Sequence, residues 1–163
     1  SSAFKALNKT SAINVWHQTG KGHLNSVEQA YKTHMFESDN VKVAEFIDDM
    51  DAAYAWADIV ICRAGALTVS EIAAAGKMAV FVPFPHAVDD HQTANAQYLV
   101  EADGALLMQQ SVFNEQSIVA LLTPYLVNPS LINEMANNAK KQAILDATAS
   151  VAAHCEQVSN KRV

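Results

Sequence analysis

The sequence predicts an α/β fold, a parallel sheet wound with helices on both faces, on three observations. Short apolar runs alternate with longer stretches of helical periodicity. The runs are aliphatic or β-branched with little polar alternation, the pattern of strands covered on both sides. Pro and Gly are scarce, and no Ser/Gly-rich linker or charge block divides the chain. The predicted strands are Ile13–His17, Val41–Phe46, Asp58–Cys62, Ala79–Pro83 and Ala105–Met108. Between them Ser26–Phe36, Met50–Trp56, Thr68–Ala75 and Asp90–Glu101 have helical spacing. Only helical patterns follow the last strand: Glu115–Val127, Ser130–Ala143 and Ala147–Val158. Strands alternating with helices give βαβ units, whose right-handed crossovers place helices on both faces.

The 163 residues form a single expected domain, 1–163, long enough to bury one sizeable core. Ala3–Leu7 reads as the end of a helix, and Ile13–His17 as the second strand of such a sheet. A doubly wound sheet ordinarily opens with a strand and a Gly-rich phosphate-binding turn. No such pair precedes Ala3, so the expectation is a sheet that lacks its first strand.

Net charge is −6, and the eleven Lys and Arg residues are scattered. Nucleic-acid binding needs a basic face that displaces phosphate counterions, so no nucleic-acid partner is expected. Apolar runs such as Ala79–Phe84 are too short to span a bilayer. Cys62 and Cys155 are expected to be separate reduced thiols, Cys62 acting as a small hydrophobe. The histidines do not cluster at metal-ligand spacing, and no metal site is expected.

The chemistry concentrates after Asp58–Cys62, in the segment Gly65–Gly76. Gly65 permits a tight strand-to-helix turn with close backbone approach to a ligand, and Gly76 sits where a helix C-terminal glycine belongs. The helix start lies at the carboxyl edge of the sheet, where open α/β folds bind ligands. Free N–H groups and the helix dipole there suit an anion. A second reading of the same residues is purely structural: Thr68-x-x-Glu71 has the spacing of a capping box. Pattern alone leaves both open.

Phe84–Ala96 is a second polar stretch at the same edge, with Asp89 as a candidate N-cap of the helix that follows. His17 and Lys21 read as ordinary turn residues. Arg63 could balance phosphate charge or be solvated or ion-paired. Trp16 and Trp56 read as core aromatics, and Asp48-Asp49 as a helix N-terminus.

Val15–Gly22, Phe46–Met50, Ala53–Asp58, Gly65–Gly76 and Phe81–Phe84 occur in this order, and together they closely resemble the C-terminal half of the MurG family. These are UDP-N-acetylglucosamine:N-acetylmuramyl-(pentapeptide) pyrophosphoryl-undecaprenol N-acetylglucosamine transferases. The resemblance covers most of the chain. It implies a Rossmann-like domain of GT-B type, which binds the UDP-N-acetylglucosamine donor while a second domain binds the lipid-linked acceptor.

On that resemblance Ile47 meets the uracil through its backbone, and Glu71 accepts hydrogen bonds from the ribose hydroxyls. Ala66, Leu67, Thr68, Val69 and Ser70 line the nucleotide and diphosphate, largely through backbone N–H groups. Gln92 contacts donor sugar hydroxyls, with His91 and Asn95 as neighbours; a shift of the preceding loop by a single position exchanges the roles of His91 and Gln92. The implied reaction is an inverting transfer with UDP as leaving group, without metal or other cofactor, its general base in the acceptor domain. The implied setting is the cytoplasmic face of the bacterial inner membrane, touched through the acceptor domain. Another UDP-sugar transferase and a nonenzymatic nucleotide-binding module or split subunit are the alternatives. An NAD-type oxidoreductase would need the G-x-G-x-x-G fingerprint, which is not visible.

Overall fold

The computed structural model describes residues 2–34, 40–85, 90–146 and 155. Helix α1 (Ser2–Leu7) is followed by β1 (Val15–Gln18), α2 (Leu24–Thr33), β2 (Val41–Ala44), α3 (Met50–Trp56) and β3 (Ile59–Cys62). Then come α4 (Ala66–Ala75), β4 (Met78–Phe81), α5 (His91–Val100), β5 (Ala105–Leu107), α6 (Glu115–Val127) and α7 (Ser130–Lys141). The alternation and every predicted strand are present. The helix predicted over Ala147–Val158 lies outside the described residues apart from Cys155.

All pairing is parallel. Strand β1 pairs with β2, Val15 opposite Val41, while β3, β4 and β5 form a second sheet with β4 in the middle. Against the order 3-2-1-4-5-6 of doubly wound sheets, β1 and β2 correspond to the strands numbered 2 and 3, and β3, β4 and β5 to those numbered 4, 5 and 6. No strand among the described residues corresponds to the one numbered 1, and Ser2–Leu7 is a helix.

Strand β4 shows why both faces must be apolar. Ala79 and Phe81 point into one cluster, with Tyr54, Ala64, Val69, Ile72, Ala96, Leu99 and Ala139. Met78 and Val80 point into the other, with Leu7, Met108, Ile118, Leu122 and Met135. Successive side chains leave a strand on opposite faces, so an unbroken apolar run is the sequence a doubly covered strand needs. Strand β3 pairs on one side only among the described residues, and its side chains stay half-buried.

Two glycines are required by geometry. Gly76 closes α4 in the left-handed conformation, φ 62°, its N–H reaching back to Ile72 and Ala73. Gly104, ahead of β5, lies so close to α7 that a Cβ would stand 2.7 Å from the Ala139 amide nitrogen. Helix α3 starts where the acidic pair predicts, Asp49 accepting from Ala52 N–H at 2.8 Å. The tryptophans differ from expectation. They meet edge to face at 5.8 Å, and Trp56 is 43% exposed, so they form a surface pair between β1 and α3, with Lys42 over the Trp16 ring.

Candidate functional site

The carboxyl ends of β1, β2 and β3 lead into three turns, β1–α2, β2–α3 and β3–α4; Ile47 lies in the second, and the third opens onto Ala66–Glu71 of α4. The first two are tied together. Thr19 and Gly20 donate backbone N–H groups to the carbonyls of Ala44 and Glu45, and Gly22 N–H reaches the Glu45 carboxylate at 2.7 Å. Gln18, the last residue of β1, accepts from Ile47 N–H at 2.8 Å. Ile47 therefore sits at the carboxyl edge of the sheet with its N–H held by Gln18.

Helix α4 begins at Ala66, two residues earlier than expected, and this overturns the capping box. An N-cap side chain must precede the helix to reach the orphan N–H groups; Thr68 lies inside the first turn and Glu71 well past it. Gly65 is the N-cap, and no side chain caps the helix. The first intrahelical bond runs from Val69 N–H to the Gly65 carbonyl. Ala66, Leu67 and Thr68 thus present the orphan N–H groups of the helix start at the sheet's ligand edge. Gly65 has φ −65°, open to any residue. What its missing side chain provides is room, since a Cβ there would meet only Thr68 Oγ1, at 3.6 Å. Leu67 is 73% exposed, Ser70 donates its hydroxyl to the Ala66 carbonyl, and Val69 turns its side chain into the core.

Glu71 is half-buried on α4, and its partner is Tyr54 of α3. The phenol donates to Glu71 Oε2 at 2.9 Å. Burial, and then the bond to Glu71 and its charge, push the Tyr54 phenol well above its ordinary range, so it remains a donor. The Glu71 carboxylate keeps acceptor capacity beyond this bond.

From α5, Asn95 donates to the Ala64 carbonyl at 3.1 Å, fixing the turn that precedes α4. Gln92 accepts from Phe84 N–H at 2.9 Å, which ties the β4–α5 loop to its helix and fixes the carboxamide at the same edge. His91 is exposed at the first position of α5. The helix N-cap is Asp90, in the left-handed conformation, with no side-chain bond to the helix backbone; Asp89 lies outside the described residues.

Arg63 is exposed, yet it is held in place by backbone groups. Its guanidinium donates to the carbonyls of Val82 and Pro83, both at 3.0 Å, and lies over the Phe84 ring. It braces the β4–α5 loop. His17 belongs to β1 rather than to a turn; its imidazole bonds Tyr31 on α2 at 3.0 Å, and burial lowers its pKa. Lys21 is exposed in the turn. Both thiols are free, Cys62 half-buried and Cys155 exposed. Among the described residues no cluster of ligating side chains could hold a metal, and no helix is long and apolar enough to cross a membrane.

Sequence reading did not single out Tyr54 and Gln18. Neither residue type announces a site, and each acts through a partner distant in the chain that only the fold brings near.

Comparison with known proteins assigns the family and the fold. The glycosyltransferase family 28 C-terminal domain matches residues 1–151. A UDP-N-acetylglucosamine–N-acetylmuramyl-(pentapeptide) pyrophosphoryl-undecaprenol N-acetylglucosamine transferase of Pseudoalteromonas translucida is 79% identical over 98% of this chain and 45% of its own length. The transferase of the same description from Shewanella sediminis is 49% identical over 96% of this chain and 42% of its own length. The chain thus spans less than half the length of these relatives. The crystal structure of Acinetobacter baumannii MurG superimposes with a TM-score of 0.83 at 40% identity, over 96% of this chain and 44% of that one. The glycosyltransferase VinC, solved in complex with dTDP, shares the fold alone, at 15% identity and a TM-score of 0.62 over 96% of this chain and 37% of that one. The chain belongs to the glycosyltransferase family 28 C-terminal domain family, and its fold and sequence are those of the C-terminal, GT-B half of the MurG transferases.

Proposed function

We propose that this chain binds UDP-N-acetylglucosamine and presents it for inverting transfer of the sugar to a lipid-linked muramyl-pentapeptide. The observation that carries the reading is the uncapped start of α4 at the sheet's ligand edge, with the Glu71 carboxylate on the same helix. The diphosphate rests on the N–H groups of Ala66, Leu67 and Thr68, where the helix dipole offsets its charge. Glu71 accepts from the two ribose hydroxyls, and the Ile47 backbone meets the uracil. Gln92, with His91 and Asn95 beside it, faces the sugar.

In the reaction the acceptor hydroxyl attacks the anomeric carbon from the side opposite the diphosphate. The bond from that carbon to the diphosphate oxygen breaks, and UDP leaves carrying the electron pair. The charge that grows on the leaving oxygen is stabilised by the preorganised N–H groups, with no metal in the step. The acceptor's proton goes to a base in the acceptor domain, and that domain makes the contact with the cytoplasmic face of the membrane.

The test is an NMR titration of the chain with UDP-N-acetylglucosamine, UDP, ADP and NAD. Saturable shifts are expected at residues 66–71 and 47 with the two uridine ligands. Binding of ADP or NAD in preference to UDP would refute the reading.

A further inference from the structure

We propose that Tyr54 is a positioning residue for nucleotide recognition, holding the Glu71 carboxylate in the orientation that accepts two vicinal ribose hydroxyls. The inference rests on the nucleotide reading above and assigns a role to a side chain that touches no ligand in it.

A glutamate has a long, freely rotating side chain, and a half-buried one without a partner samples several rotamers. Binding would then have to order it. Here the order already exists. The Tyr54 ring is 8% exposed and packs in the cluster with Ala64, Val69 and Ile72, so the phenol oxygen is a fixed point. Its hydrogen takes one lone pair of Glu71 Oε2 at 2.9 Å. That leaves both lone pairs of Oε1 and one of Oε2, enough for two hydroxyl donors. The phenol cannot give way to the phenolate, because burial and the neighbouring carboxylate both oppose ionisation.

The same short stretch also reaches the β2–α3 turn. Asp49 caps α3, and just upstream Gln18 holds the Ile47 N–H. A rigid segment from Ile47 to Tyr54 therefore sets the backbone placed at the base and the carboxylate placed at the ribose in one fixed relation. It joins the sheet of β1 and β2 to that of β3, β4 and β5.

The experiment compares UDP with 2′,3′-dideoxy-UDP on the unaltered chain and on Tyr54→Phe, with thermal melts to verify folding. Loss of the positioning bond is expected to weaken UDP about tenfold, the scale of a hydrogen bond to a charged group, and the dideoxy analogue by about twofold or less. In a Glu71→Ala background Tyr54→Phe should cost UDP nothing further. Equal losses for the two ligands, or none for UDP, would make Tyr54 a packing residue and overturn the proposal. Direct observation of the Tyr54 hydroxyl proton in the unaltered chain is independent of any variant. It should stay protected from exchange with UDP bound, and its loss on binding also overturns the proposal. Failure of the unaltered chain to bind UDP at all would instead sink the nucleotide reading, and this inference with it.

Discussion

Replacing Glu71 by alanine separates the two readings that Thr68-x-x-Glu71 leaves open. If the carboxylate served only to hold the fold, its removal would lower stability and leave ligand affinity alone. The structure removes the capping contribution, since Glu71 lies beyond the first turn of α4. What remains on the stability side is the Tyr54 hydroxyl, which loses its acceptor. An unsatisfied buried donor costs about 1–3 kcal/mol, and the low end applies because Glu71 is half-exposed and water can enter the space it vacates. A loss of about 1 kcal/mol lowers Tm by about 2–4 °C in a domain of this size. On the binding side two hydroxyl-to-carboxylate bonds disappear. Taken at the low end for a partly exposed site, they amount to about 2–3 kcal/mol, or about 30- to 150-fold in Kd for UDP. Calorimetric or NMR titration with UDP beside a thermal melt measures both quantities on one preparation. A melt lowered by more than about 8 °C with unchanged UDP affinity would refute the assignment. Glu71→Gln, which keeps an acceptor for Tyr54, should hold Tm near the original value while still losing affinity.

Other substitutions probe the frame around the site. Gly104→Ala drives a methyl group into the Ala139 backbone and should cost about 1–3 kcal/mol, read as a lowered denaturation midpoint with unchanged slope. Gln18→Ala frees the Ile47 N–H and should weaken uridine nucleotides, with ADP affinity unmoved; equal effects on both would exclude a role near the base. Burial and then the Glu71 charge push the Cys62 thiol up from 9.0 to about 12. The folded state thus favours the protonated thiol. Its contribution to stability is complete below about pH 9 and is lost as pH rises toward 12, and Cys62→Ala should flatten that alkaline loss. Alkylation at pH 8, followed by mass spectrometry, should label exposed Cys155 long before Cys62.

The elements were legible because their signals are local. An apolar run such as Ala79–Phe81 has few other homes than a doubly covered strand, and Gly76 marks the end of α4 because few other residues adopt its backbone angles without strain. The position of the site at the strands' carboxyl edge follows from the same alternation. The start of α4 was misplaced for a definite reason. Capping-box spacing is a pattern of residue types and does not fix the N-cap; here Gly65 takes that position and the helix begins two residues sooner. Arg63 and the tryptophans were opaque because partners far along the chain decide whether such side chains are solvated, clamped or stacked. The ribose role proposed for Glu71 rests on resemblance, and its bond to Tyr54 is visible in the structure alone.

Strand order sets the nucleotide of the proposed function across both groups of strands. In a doubly wound fold ligands bind where the strand order reverses, and here that reversal separates β1 and β2 from β3, β4 and β5. Among the described residues the Tyr54–Glu71 bond is a side-chain link from α3, which follows β2, to α4, which follows β3. Tyr54 to Glu71 and the edge-to-face pair of Trp16 and Trp56 both bear on that junction. A nucleotide whose base lies against the Ile47 turn and whose diphosphate lies on α4 would span it as well. Ligand and side chains would then hold the same two bodies together, and binding energy and stability become linked. Saturating UDP should therefore protect amides of α3 and α4 from hydrogen exchange more than those of α6, which packs on the opposite face with Ile118 and Leu122. Uniform protection, or protection confined to the α4 N-terminus, would mean that the ligand rests on one half and the junction plays no part.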